Sequence, residues 1–120
     1  MNIAITIPKT TTWETYEKEL IKAESGDILN YRLGHIKPKR LNPGDRCYLV
    51  HDGLIRGYHI VIDVVWKSSF HCSTTGKIWI EGYYVRRTGQ FIKIPPIKMN
   101  GFQGFRYYSE PENSFPRGLS

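Results

Sequence analysis

The chain has 120 residues, 40% of them hydrophobic and 23% charged, the size and mix of one globular domain with its own core. At this length a chain buries about two-thirds of its unfolded surface, so it needs no disulfide or metal staple. Seventeen lysines and arginines stand against eleven acids, a net charge of +6, and no apolar run reaches the roughly 20 residues of a membrane span; a polyanion partner is expected, and no membrane association.

Two cysteines, Cys47 and Cys72, are too few for a disulfide scaffold, so both are read as reduced thiols in a cytoplasmic, monomeric protein. The opening MNIAITIPKTT lacks the charged and apolar regions of a secretory signal. Charge is unevenly spread. Five of the eleven acids lie between Glu14 and Asp27, whereas Gly82 to Ser109 holds five basic residues and no acid.

In chain order, NIAITIP alternates isoleucines with smaller residues, the pattern of a half-buried strand that Pro8 ends. Thr11 with Glu14 forms a capping box, and Trp13, Tyr16, Leu20 and Ala23 recur at helical spacing. One amphipathic helix is expected from about Thr12 to Glu24. ILNYRLG reads as a short strand, and HIKPKRLNPGDR as a basic connection stiffened by two prolines. RCYLVHDG and LIRGYHIVIDVVW read as two strands joined at Asp52-Gly53. A strict alternation from Leu54 places Tyr58, Ile60, Ile62, Val64 and Trp66 on one face, with His59, Val61 and Asp63 on the other.

KSSFHCSTTG is expected to be a loop, and KIWIEGYYVRR one strand that turns at Thr88-Gly89 into QFIKI. PPIKMN should break the ladder, because proline has no N–H to donate. GFQGFRYY is expected as the last strand, with a frayed tail over 109–120 after a single domain over 1–108. The fold class is therefore α+β, a small β-barrel of about six strands with one helix near the N-terminus.

The stretch LNPGDRCYLVHDGLIRGYHIVIDV resembles the central hairpin of PUA-like domains, particularly the ASCH and EVE branches. Pro43, Gly44 and Asp45 match their strand-opening turn, and Ile55 and Gly57 match the Ile-x-Gly of the next strand. The resemblance implies a mixed barrel with a helix at its rim that binds RNA or modified bases; some ASCH proteins hydrolyse modified nucleosides. The Lys-Thr-x-Glu-x-Arg run that follows the helix in ASCH domains has no counterpart, so no catalytic residue is assigned.

An aromatic slot rimmed by basic residues is the expected site. Arg86, Arg87 and Arg106, with Lys37, Lys39 and Arg40 of the proline-rich loop, are the phosphate-binding candidates. Trp66, Trp79, Tyr83, Phe102 and Tyr108 are the stacking candidates, since a base stacked on an aromatic ring gains about 1–3 kcal/mol. Asp63, Glu81 and Gln103 are the edge readers, and Gly104 leaves a gap for a flat group between Phe102 and Arg106. In the last strand Phe105 and Tyr107 are expected to face the core, and Phe102, Arg106 and Tyr108 the slot. The partner would be RNA or DNA, single-stranded or carrying a modified base.

No cofactor is implied. Cys47 and His51, four apart, and the adjacent His71 and Cys72 do not make a recognised zinc spacing. Two other readings stay open. A small ASCH-like hydrolase would place a lysine or cysteine beside a carboxylate in one pocket. A protein-binding module, or an inhibitor encoded by a mobile element, would expose an apolar patch.

Overall fold

The computed structural model describes residues 1–8, 10–22, 27–68, 70–71 and 78–109, with the backbone alone at 70–71 and 78–79. Its elements are β1 (Ile3–Thr6), α1 (Trp13–Lys22), β2 (Ile28–Gly34), β3 (Arg46–His51), β4 (Leu54–Lys67), β5 (Phe70–His71), β6 (Ile78–Trp79), β7 (Gly82–Thr88), β8 (Ile92–Lys98) and β9 (Phe105–Tyr107). The main sheet runs β2-β7-β4-β3-β1-β9, with β8 also on β4. It is mixed, because β1 lies parallel to β3 while its other ladders are antiparallel. The sheet curls into a half-barrel, a small α+β fold. Among the described residues no ladder joins β2 to β9, so the sheet stays open rather than closing into a barrel.

The helix begins one residue later than the capping box suggests. Thr12 Oγ1 accepts the Thr15 N–H at 3.3 Å, and the Thr12 carbonyl accepts the Tyr16 N–H at 3.0 Å. The Thr11 carbonyl instead accepts from His51 Nε2 at 2.7 Å, which ties the helix start to β3. Leu20 is buried and Trp13 and Tyr16 pack beside it, so α1 lays one stripe on the inner face. That face also holds Ile3 and Ile5 of β1, Cys47 and Leu49 of β3, Val61 of β4 and Val85 of β7. A second core lies on the opposite face, where Ala4, Tyr48, Val50, Ile55 and Tyr108 pack under Ile94, Ile97, Met99 and Phe102. No helix among the described residues is long and apolar enough to cross a membrane.

Two bulges in β4 overturn the strict alternation expected along it. One falls between Ile55 and Gly57, the other between Val61 and Asp63. Each adds one residue and exchanges the faces beyond it. Ile55 thus belongs to the second core, Val61 to the inner face, and Val64 packs on the inner face again. Asp63 pairs with Arg86 on the far side, and Trp66 with Tyr83 toward the interior.

Two further expectations change. The strand KIWIEGYYVRR is interrupted at Ile80-Glu81 into β6 and β7, and β6 pairs with β5 where a loop was expected. The prolines do not end β8, which runs through Pro95 and Pro96 to Lys98. Both are exposed and sit at the register shift between the Ile97–Ile55 and Lys93–Gly57 pairs, where no N–H is called on. The last strand is short, Phe105–Tyr107, and residues beyond Ser109 lie outside those described.

Gly57 is the closest approach in this arrangement. A Cβ there would stand 2.3 Å from the Ile92 carbonyl oxygen and 2.5 Å from the Phe91 ring. The carbonyl is backbone and cannot swing away. Gly57→Ala should therefore cost about 1–3 kcal/mol, as overpacking does. The check is urea denaturation, where the midpoint should fall and the slope stay unchanged.

Candidate functional site

One end of the half-barrel gathers most of the expected residues that come together. It is built from the end of β2, the end of β4, the start of β7 and the loop over 35–45. The loop is pinned at several points. Gly44 N–H donates to the Val61 carbonyl at 2.9 Å, and Val61 N–H to the Asp45 carbonyl at 2.8 Å. Asn42 N–H donates to Asp45 Oδ2 at 2.8 Å, and Arg40 N–H to the Tyr107 hydroxyl at 3.0 Å. Pro38 is fully buried and Leu41 packs on the inner core. Lys37, Lys39 and Arg40 therefore project outward from a backbone that is already held.

Beyond Ile60, β4 has no β3 residue beside it, and the loop takes that place. Between them lies a cleft of about 340 Å³, walled by Lys37, Lys39 and Asn42 on one side and by Asp63 and Val64 on the other. Asp63 is not available as a lone carboxylate. Arg86 Nε and Nη2 each donate to one of its oxygens at 2.6 Å, a bidentate pair. The Arg86 guanidinium holds the Asp63 carboxyl below its ordinary range. Asp63 thus reaches the cleft as one half of a joined, neutral unit with Arg86.

At the same end of the half-barrel, its mouth, the Trp66 and Tyr83 rings meet edge to face, with centroids 4.9 Å apart at 70°. Trp66 is still 46% exposed. The His35 ring lies 6.2 Å from Trp66, and His35 Nε2 is 3.9 Å from Glu81 Oε2. His35 also lines a gap of about 340 Å³ at the open seam, with Leu33, Gly34 and Ile36 on one side and Gln103, Gly104 and Phe105 on the other. Gly104 has φ of 72°, and a Cβ there would stand 3.4 Å from the Leu33 carbonyl oxygen. The left-handed φ is what calls for glycine there, since a Cβ would meet that oxygen only at ordinary contact distance, a different use from the expected gap between Phe102 and Arg106.

Trp66, Tyr83, Glu81 and Gln103 thus share one end with Lys37, Lys39 and Arg40. The other candidates lie elsewhere. Arg87 is inside the half-barrel, 3% exposed, rather than at a rim. Tyr108 is buried in the second core, its ring 4.9 Å from that of Tyr48, and is not open to a ligand. Phe102 packs on that same core, with the Arg106 guanidinium 4.9 Å from its ring centroid. Phe105 and Tyr107 pack on the inner core. Trp79 pairs through its backbone with Phe70, and its side chain lies outside those described, as does Cys72.

His35 and Asn42 were missed by sequence reasoning. His35 links the aromatic pair to the seam, and its only signal was its place between the strand-ending Gly34 and the basic run. Among the described residues no group of three His, Cys, Asp or Glu side chains is placed to hold a metal ion. Cys47 is fully buried, and burial pushes its thiol up to about 11, so it is not a ready nucleophile.

The Asp63–Arg86 pair carries a sign that can be read out. A carboxylate lowered in the folded state adds stability above its unfolded value of about 3.9 and loses it as pH falls through the folded value. The Asp63 carboxyl carbon, followed by NMR, should titrate below the ordinary aspartate range. In Arg86→Ala its midpoint should move back up, and the acid limb of unfolding should shift toward neutral pH. An unmoved midpoint would show the pair to be absent in solution.

No family model matches the chain, and neither a curated protein nor a solved structure matches it.

Proposed function

We propose that the chain is a nucleic-acid or modified-nucleotide binding module that takes an unstacked base at the Trp66–Tyr83 mouth. The observation that carries this reading is a half-exposed tryptophan braced by a second ring at the edge of a rigid basic loop. Bracing matters because a ring already held in place loses little freedom when a base stacks on it. Glu81 and Gln103, both exposed at the same end, supply an acceptor and an amide for the edge of the base. Lys37, Lys39 and Arg40 supply phosphate contacts, which attract and position without reading sequence.

A PUA-like domain of the ASCH or EVE type belongs to the same proposal. It is supported by the Pro43-Gly44-Asp45 turn leading into β3 and by Ile55 and Gly57 flanking the first bulge of β4.

A second reading, a protein-binding module, is favoured by one observation. Ile36, Ile80 and Trp66 are 73%, 63% and 46% exposed. The hydrolase reading has less behind it. Lys93 and Glu17 stand 3.1 Å apart in one crevice, but Lys93 is 67% exposed, as in an ordinary surface ion pair.

Binding of labelled single-stranded and duplex RNA and DNA, titrated with salt, separates the first two readings. Affinity for a single strand should fall steeply with salt. Trp66→Ala should weaken it by about 1–3 kcal/mol at every salt concentration. Lys37→Ala or Lys39→Ala should each reduce the salt slope by about one, the signature of a phosphate no longer neutralised. No binding at low salt would remove this reading and leave the apolar patch as the functional surface.

A further inference from the structure

Arg87 poses a problem that the mouth does not answer. It is 3% exposed, and its Nε and Nη1 have no hydrogen-bond partner among the described residues. A guanidinium cannot shed its proton, and an ionised group buried without a partner is among the costliest features a fold can carry. On the inner face Arg87 stands opposite Val61, and His59 lies two residues before Val61 on β4. The two side chains are thus diagonal neighbours, roughly 7–8 Å apart at the backbone, within the span of an arginine.

His59 is fully buried. Nδ1 faces the carbonyls of Thr88 at 2.8 Å and Gln90 at 3.1 Å, so Nδ1 carries the hydrogen and donates. Burial, with Arg87 nearby, pushes the imidazole down to about 4 and keeps it neutral. Nε2 is then a bare lone pair, also buried and also without a partner among the described residues. The interior therefore offers two unmet donors on Arg87 and one unmet acceptor on His59.

The complement is an anion that accepts two hydrogen bonds and donates one. We propose that the inner face binds a protonated phosphate group, as inorganic phosphate or a phosphate monoester, between Arg87 and His59. Two of its oxygens accept from Nε and Nη1, in the side-on geometry that a guanidinium fork matches. Its P–O–H donates to His59 Nε2. A sulfate has no such hydrogen at neutral pH and would leave Nε2 unmet. A single water would satisfy hydrogen bonds but not the charge. The nearest crevice to the His59 ring on this side, about 140 Å³ beside α1, is lined by Glu17, Leu20, Ile21, Phe91 and Lys93. Phe91 packs directly on the His59 ring, with centroids 5.3 Å apart. This inner site does not depend on the nucleic-acid reading of the mouth.

The test compares sodium phosphate with sodium sulfate at equal ionic strength and pH 7, using thermal unfolding of the full chain. Both salts raise stability by exclusion from the surface, so sulfate is the control for that effect. Phosphate should give an additional, saturable rise, as a ligand of the native state does, and Arg87→Met should abolish it. Should Arg87→Met fail to fold, the wild-type chain decides alone. Phosphate should then shift the Arg87 Nε–H and His59 ring nitrogen NMR signals saturably, and sulfate should not. Equal responses to the two anions, or an unmoved Arg87 signal, would overturn the site.

Discussion

Almost everything at the Trp66 end of the half-barrel depends on how β4 bends. A strand of 14 residues cannot stay straight and serve two half-sheets that curl around one core. Its first half pairs with β3 and β8, and its second with β7, and the bulges mark where it turns between them. The second bulge alone decides that Asp63 faces outward to Arg86 while Val64 and Trp66 return toward the interior. Were the same residues to run as a regular ladder without that bulge, the tryptophan would turn to the outer surface. The loop over 35–45 is a consequence of the same bend, because it fills the edge that β3 has vacated.

The charge of the chain divides by geometry. Taken as a sum, +6 suggests a uniform basic footprint. In the fold, Arg86 is neutralised by Asp63, and Arg87 is turned inward. These neighbours in sequence point to opposite faces because a strand alternates, so a run of two arginines cannot form one patch. The cations exposed at the mouth come instead from the loop, where Lys37, Lys39 and Arg40 are spaced around a buried proline. Such a loop carries charge toward solvent whatever the sheet does. This makes it the more dependable source of exposed positive charge.

The local signals in the sequence were legible where local physics decides. The Asp52-Gly53 turn, the alternation of β1 and the helical spacing of Trp13, Tyr16 and Leu20 all mark elements present in the fold. What was not legible is what depends on contacts distant in the chain. Bulges arise from the fit between paired strands, so a face count along Leu54–Lys67 had no way to include them. Pro95 and Pro96 are tolerated because they lie at a register shift, which the sequence of β8 does not encode by itself. Of the site, the aromatic pair, the loop cations, Glu81 and Gln103 were among the expected residues, but their grouping was not the expected one. Phe102 and Tyr108 joined a second core, with the exposed Arg106 lying over Phe102, which an alternating pattern with rings on both faces of one strand could not distinguish from a slot.

That second core explains why the half-barrel can remain open at all. In a closed barrel the inner face supplies the apolar burial, and every strand has two neighbours. Here, among the described residues, β2 and β9 each have one, and the seam between them holds a gap rather than a ladder. The burial given up at the seam is offset on the outside of β1, β3 and β4, where Tyr48, Ile55 and Tyr108 are covered by residues of β8 and the segment after it. Packing on both faces holds those central strands without closure. The inner face then need not be uniformly apolar, which is how His59 and Arg87 come to stand inside. A sheet stabilised from outside can keep polar groups within, provided that something polar meets them there.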